Sequence, residues 1–203
     1  KGYEVDDILY EADAFQPVFL QMLHNDKNVL ERLNQDWEQE NDDPKFDLFR
    51  RKLETEFLKE DINPSGKLVL FSESVDTLTY LQERLTHELR RTDVLMVTAS
   101  NRNRLGQVIK ENFDANYKGD KKNDYNIVIS TEVLAEGVNL HRANVIVNYD
   151  TPWNSTRLMQ RIGRVNRIGS TAKEVYIFNF FPTSKVNDDI ELEKKAKMKL
   201  FAF

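Results

Sequence analysis

The 203-residue sequence contains no cysteine, which excludes a disulfide framework, a thiolate nucleophile and any cysteine-ligated metal. Its three histidines, His24, His87 and His141, lack the paired spacing of metal ligands and read as structural or surface residues, so no metal site is expected. No apolar run approaches the roughly 20 residues needed to cross a bilayer. The opening Lys1-Gly-Tyr-Glu-Val-Asp-Asp7 has no apolar signal core. No membrane partner is expected, and the cytoplasm is the expected location. Glycine is scarce at seven residues, and no G-x-x-x-x-G-K-[ST] loop or D-E-x-x box occurs. The chain also begins without Met and ends at Leu200-Phe-Ala-Phe203 with no helix stop, which suggests part of a longer protein.

What is present divides in two. Hydrophobic residues make up 40%, enough for a core of ordinary size. The net charge of −5 is unevenly shared, with residues 1–66 holding 17 acids against 8 bases and the remainder 17 against 21. Only local charge matters at a groove screened over about 10 Å, so a nucleic-acid partner stays open for the second part.

Residues 1–66 read as helices. Ile8, Phe15, Val18, Phe19, Met22 and Leu23 follow three-and-four spacing, and Val29, Leu30, Leu33 and Trp37 continue it. An acidic surface loop is expected over 38–43. Asp43-Pro44 then supplies a cap and a first-turn proline for a helix with Phe46, Phe49, Leu53 and Phe57 on one face, ended by Asn63-Pro-Ser-Gly66. These stripes read as packing surfaces.

From Lys67 the pattern becomes short apolar runs at 68–71, 94–97, 125–129, 143–147 and 175–178. Amphipathic helices separate them, one carrying Leu78, Leu81, Leu85 and Leu89, the next Leu105, Val108, Ile109 and Phe113. Strands this short and apolar, alternating with helices, predict an α/β fold whose parallel sheet is covered on both faces. In such sheets ligands collect beyond the carboxyl ends of the strands. That rule singles out Ser72, Ser100, Ser130, Thr131 and the loop Asp150 to Asn154. Each Ser or Thr alone could be a helix cap, whereas several on one edge suit a phosphodiester backbone. Trp153 is open to two readings, core packing or stacking on a base.

The stretch Asp150 to Ile168, D-T-P-W-N-S-T-R-L-M-Q-R-I-G-R-V-N-R-I, sets Arg161, Arg164 and Arg167 at three-residue steps. From Thr151 to Lys173 there are five Lys or Arg and no acid. Gly163, a poor helix former, argues for a turn where the backbone approaches something closely. Solvation alone requires neither that glycine nor the neighbouring Trp and Gln, while guanidinium forks suit phosphate oxygens.

Q-R-I-G-R-V-N-R-I-G resembles motif VI of superfamily-two helicases, and Asp150-Thr-Pro-Trp-Asn154 is similar to the segment before it in the Swi/Snf-like branch. Upstream, Ser130-Thr-Glu-Val-Leu-Ala-Glu-Gly-Val-Asn-Leu140 resembles motif V, and Phe71-Ser72 resembles motif IV. Asn166 and Ser170 depart from that branch, standing where it has His and Gln, and the sequence looks closest to its bacterial members. The resemblance covers about 66–181 and implies a RecA-like, P-loop NTPase-type second lobe over 67–184. Residues 1–66 would then be a helical segment or interlobe linker, and 185–203 the start of a C-terminal helical extension. It implies arginine fingers at Arg164 and Arg167, with Gln160 and Arg161 in support and Gly137 and Asn139 at the nucleotide edge. Nucleic-acid contacts are implied at Ser72, Ser130, Thr131, Trp153 and Asn154. The implied cofactor is ATP with Mg2+, held mainly by a first lobe, and the implied track is nucleic acid, DNA favoured over RNA. On this reading the fragment alone hydrolyses no ATP. A second hypothesis is a non-catalytic nucleic-acid or protein-binding module that keeps the fold.

Overall fold

A computed structural model describes residues 15–39, 42–135, 137–152 and 154–181. The chain divides into two compact units, 1–48 and 49–203. The expectations placed on Ile8, Trp153 and the C-terminal extension lie outside the described residues.

In the first unit, helix α1 runs Pro17–Gln39 without interruption. Its apolar stripe is exposed, Leu30 at 66% and Trp37 at 80%. Asp43 caps α2 (Pro44–Lys52) as expected, its carboxylate accepting from the Phe46 amide at 2.9 Å, and the division between the units falls within this helix.

The second unit is built on a sheet of five parallel strands: β1 (Leu68–Phe71), β2 (Val94–Val97), β3 (Ile127–Ser130), β4 (Val145–Asn148) and β5 (Tyr176–Asn179), in the order β2-β3-β1-β4-β5. Helices α3 (Val75–His87), α4 (Arg102–Phe113) and α5 (Ser155–Val165) make three of the crossovers. Leu89, expected on α3, falls beyond it, because the helix stops at His87 and Arg90 turns the chain at a positive φ of 50°. Strand side chains alternate between faces. Val69, Phe71, Leu95, Val97, Val128 and Ile146 form one buried layer with Ile109 and Phe113 of α4 and Val165 of α5. Leu68, Leu70, Ile127, Ile129, Val145 and Val147 point the other way and are fully buried, which is why both faces read as apolar.

The second compact unit begins at Phe49, within α2. Phe49 and Phe57 belong with the sheet, since their rings meet Tyr149 at 5.7 Å and Phe178 at 4.5 Å. Between them α2 passes into a π-helical turn, Leu53–Phe57, that buries Leu53 and Phe57 together.

Candidate functional site

The register sets Val97, Ser130, Phe71, Asn148 and Asn179 in one row at the carboxyl edge of the sheet. Every loop singled out by the strand-end rule therefore leaves from the same edge. The individual side chains then separate into inward and outward groups.

Ser72 and Ser130 point inward and are fully buried. The Ser72 hydroxyl donates to the Asp150 carboxylate, which also accepts the Glu73 amide at 3.2 Å, and the Ser130 hydroxyl donates to the Val97 carbonyl at 2.8 Å. Both hydroxyls are engaged in joining neighbouring strand ends. Thr131 is half-buried at the start of a short 3-10 turn, Glu132–Leu134, and caps it with no side-chain hydrogen bond. Ser100 is exposed, 2.9 Å from the Thr98 hydroxyl. Asn154 is exposed and caps α5, its side-chain oxygen accepting from the Thr156 amide at 2.9 Å.

Gly163 corrects the sequence reading. It lies inside α5 rather than in a turn, and a Cβ built there would meet nothing within 4 Å. The helix forms despite it because Leu158, Arg161 and Val165 make a buried stripe that tertiary packing rewards.

Arg161 is the largest fully buried side chain of the described residues. Its Nε donates to Glu132 at 2.8 Å and its Nη2 pairs with the same carboxylate, while Nη1 donates to the Asn148 side chain at 2.7 Å and to the Asp150 carbonyl at 3.2 Å. The guanidinium carbon lies 4.9 Å from the centre of the Phe71 ring, and Glu73 approaches to 3.8 Å. A buried guanidinium so surrounded works within its own domain. Glu132, Glu73 and Asn148 carried no assigned role in the sequence. The available signal was the spacing of Leu158, Arg161 and Val165, which places a cation on an apolar stripe and so requires an acid opposite it.

One turn on, Arg164 is half-buried, its Nε donating to the Gln160 carbonyl at 3.4 Å and its own carbonyl accepting from the Leu140 amide at 2.9 Å. Gln160 is half-buried beside it. Arg167 is exposed just past the helix and donates to the Asn139 side chain. Asn139 in turn donates to Asp114 at 3.1 Å. Behind them His141 is fully buried, its ring 3.6 Å from Asp114 and neither nitrogen hydrogen-bonded. Burial holds its pKa below the ordinary histidine value, Asp114 opposing and Arg167 and Lys121 assisting.

Gly137 adopts φ +69°, and a Cβ there would sit 2.7 Å from the Arg102 guanidinium. This glycine and Asn139 border a cavity of about 230 Å³ that is also lined by Arg102, Gly106, Lys110 and Asp114. Cations, an open backbone and amide groups beside an exposed arginine fit the polyphosphate or sugar side of a nucleotide. Among the described residues no cluster of His, Asp or Glu could hold a metal ion. No described helix is long and apolar enough to cross a membrane.

The family described as "Helicase conserved C-terminal domain" matches residues 45–169. An uncharacterized ATP-dependent helicase, YqhH of Bacillus subtilis, is 41% identical over 75 residues, 37% of this chain and 13% of its own length. The SNF2 domain-containing protein CLASSY 4 of Arabidopsis thaliana is 29% identical over 156 residues, 73% of this chain and again 13% of its own length. The chain thus spans a small fraction of both relatives. The crystal structure of the C-terminal part of the Fun30 ATPase domain superposes with a TM-score of 0.58 at 22% identity, covering 87% of this chain and 52% of that one. With its all-parallel sheet and two motif-bearing loops on one edge, the chain belongs to the helicase C-terminal domain family and has the fold of its RecA-like lobes.

Proposed function

We propose that this chain is the second motor lobe of an ATP-dependent helicase or translocase, completing a nucleotide site held mainly by a first lobe. The observation that carries the reading is Arg167, exposed at the end of α5 and tethered to Asn139 beside Gly137 and the cation-lined cavity. When bound, ATP with Mg2+ supplies the phosphoryl-transfer chemistry. Arg167 and Arg164 supply positive charge to the phosphoryl group from across the cleft, and Asn139 holds the first of these guanidinium groups in place. Ser100, Thr131 and Asn154, on the open side of the sheet edge, are the candidates for gripping the backbone of a nucleic acid, DNA favoured over RNA. Trp153 keeps its two readings.

The test is the paired substitution Arg164→Ala and Arg167→Ala in the whole protein. ATP hydrolysis is expected to fall by about 10³-fold or more, the range of an arginine finger, with nucleic-acid affinity retained. Lost affinity together with a flattened dependence on salt would instead identify the pair as a phosphate-binding patch. Comparing a DNA duplex with a single-stranded RNA as activator decides the track.

A further inference from the structure

We propose that the exposed apolar stripe of α1 is a docking surface for one helix of a separate partner protein, an amphipathic helix that is basic and carries a lysine or arginine at the middle of its apolar seam.

The stripe has the repeat of a helix-pairing seam. Phe15, Phe19, Met22, Asp26, Val29 and Leu33 follow one another at alternating steps of four and three, the seven-residue period that keeps one helix face turned toward a partner helix. Val18, Leu23, Leu30 and Trp37 widen it, and every one of these apolar side chains is at least 38% exposed. Single apolar residues are ordinary on a protein surface, whereas a continuous stripe about 33 Å long, at the helical rise of about 1.5 Å per residue, marks an interface. The other charged groups of the helix are occupied along its own length: Lys27 lies 3.5 Å from Glu31, Arg32 lies 4.0 Å from Asp36, and the Asn34 amide donates to Glu38 at 2.8 Å. Asp26 is different. It is exposed at the centre of the stripe and, among the described residues, has neither an ion pair nor a hydrogen bond.

That carboxylate decides what can cover the stripe. Asp26 stands midway between Phe15 and Trp37, so a second copy laid antiparallel along the stripe sets Asp26 against Asp26, and so does a parallel copy in register. A stagger that parts the two leaves an end of each stripe uncovered. Like charges meeting in a seam that excludes water repel strongly, while a lysine or arginine in the same place satisfies the carboxylate and fixes the register. The surrounding charge has the same requirement, since residues 1–48 hold 13 acids against 4 bases. An acidic field of this kind steers a basic molecule and speeds the encounter of separate proteins, which a contact tethered within one chain does not need. Trp37 at one end of the stripe and Phe15 and Phe19 at the other are side chains of the kind that anchor such a helix.

The experiment titrates the whole protein into a fluorescein-labelled synthetic helix of about four heptads, apolar at its seam positions and basic outside them, with either lysine or glutamate at the central seam position. Fluorescence anisotropy is expected to show the lysine peptide binding tighter than the glutamate peptide by about tenfold or more, and Asp26→Lys to reverse that order. Leu33→Glu falls at an exposed position on which folding does not depend, and is expected to weaken binding of the lysine peptide by about thirtyfold. A peptide of the same composition in shuffled order that binds equally well leaves only the acidic field and overturns the proposal, as does a preference for lysine that Asp26→Lys leaves unchanged. Failure of the lysine peptide to bind overturns it too, and sedimentation of the whole protein then separates the reasons: a dimer that Leu33→Glu dissociates identifies a second copy as the cover, and a monomer points to the parent protein's own chain.

Discussion

Arg161 has no exposed surface, and its charge is tolerable only because Glu132, Asn148 and the Asp150 carbonyl surround it. Removing one partner of a buried ion pair leaves the other uncompensated, so Arg161→Ala is expected to cost about 3–5 kcal/mol in chemical denaturation. Lys67 presents the opposite case. It is 2% exposed, donates to the Tyr125 carbonyl at 2.7 Å and lies 5.0 Å from the centre of the Phe113 ring. Burial, helped by the nearby Arg142 charge, lowers its pKa from 10.5 to about 8. Between those values the unfolded chain holds a proton that the folded chain has released, so stability rises with pH across that window. The rise is expected to reach at most about 3 kcal/mol, and Lys67→Met flattens it relative to wild type in denaturation curves taken from neutral to alkaline pH. At this scale the sequence was only partly legible. The sequence reading set Arg161 in support of a nucleotide and missed its burial, although Leu158 and Val165 flank it at helical spacing; its acid lies 29 residues earlier, after another strand, and nothing in local spacing pairs the two.

Among the elements, the strands were the most legible. β1 and β2 occupy the apolar runs that predict them, residue for residue. β3 and β4 begin two residues later than their runs, because the residues just before them are held elsewhere: the Tyr125 amide by the Asn112 side chain, and the Asn144 side chain by the Ile62 carbonyl. The π turn after α2 was not legible, since it follows from seating Leu53 and Phe57 and not from any backbone preference of L-E-T-E-F. The loop after β3 depends on Gly137, whose φ of +69° is costly for a residue with a side chain. Gly137→Ala is expected to lose about 1–2 kcal/mol, and a thermal melt measures it. The Arg102 guanidinium, which the new Cβ would meet, can swing aside, so backbone conformation and not crowding sets that value.

For the whole molecule, the sheet order brings together residues from Ser72 to Arg167 that no linear spacing relates. The rule that ligands gather at strand carboxyl ends singled out loops that do leave from one edge, and the resemblance supplied the motifs on it. Neither could show which hydroxyls turn inward, because that depends on the neighbouring strand: Ser130 is engaged by β2 and Ser72 by the loop after β4. Gly163 shows the same dependence from the other side. An alanine in its place, with open space above it, should strengthen α5 by about 1 kcal/mol and raise the melting temperature. If the first lobe closes on this helix, that added methyl group occupies ground the closed motor needs, and the more heat-resistant variant is expected to be the slower ATPase in the whole protein. A glycine retained at the expense of firmness would then record the passing footprint of a neighbour, a clearance kept for something that comes and goes.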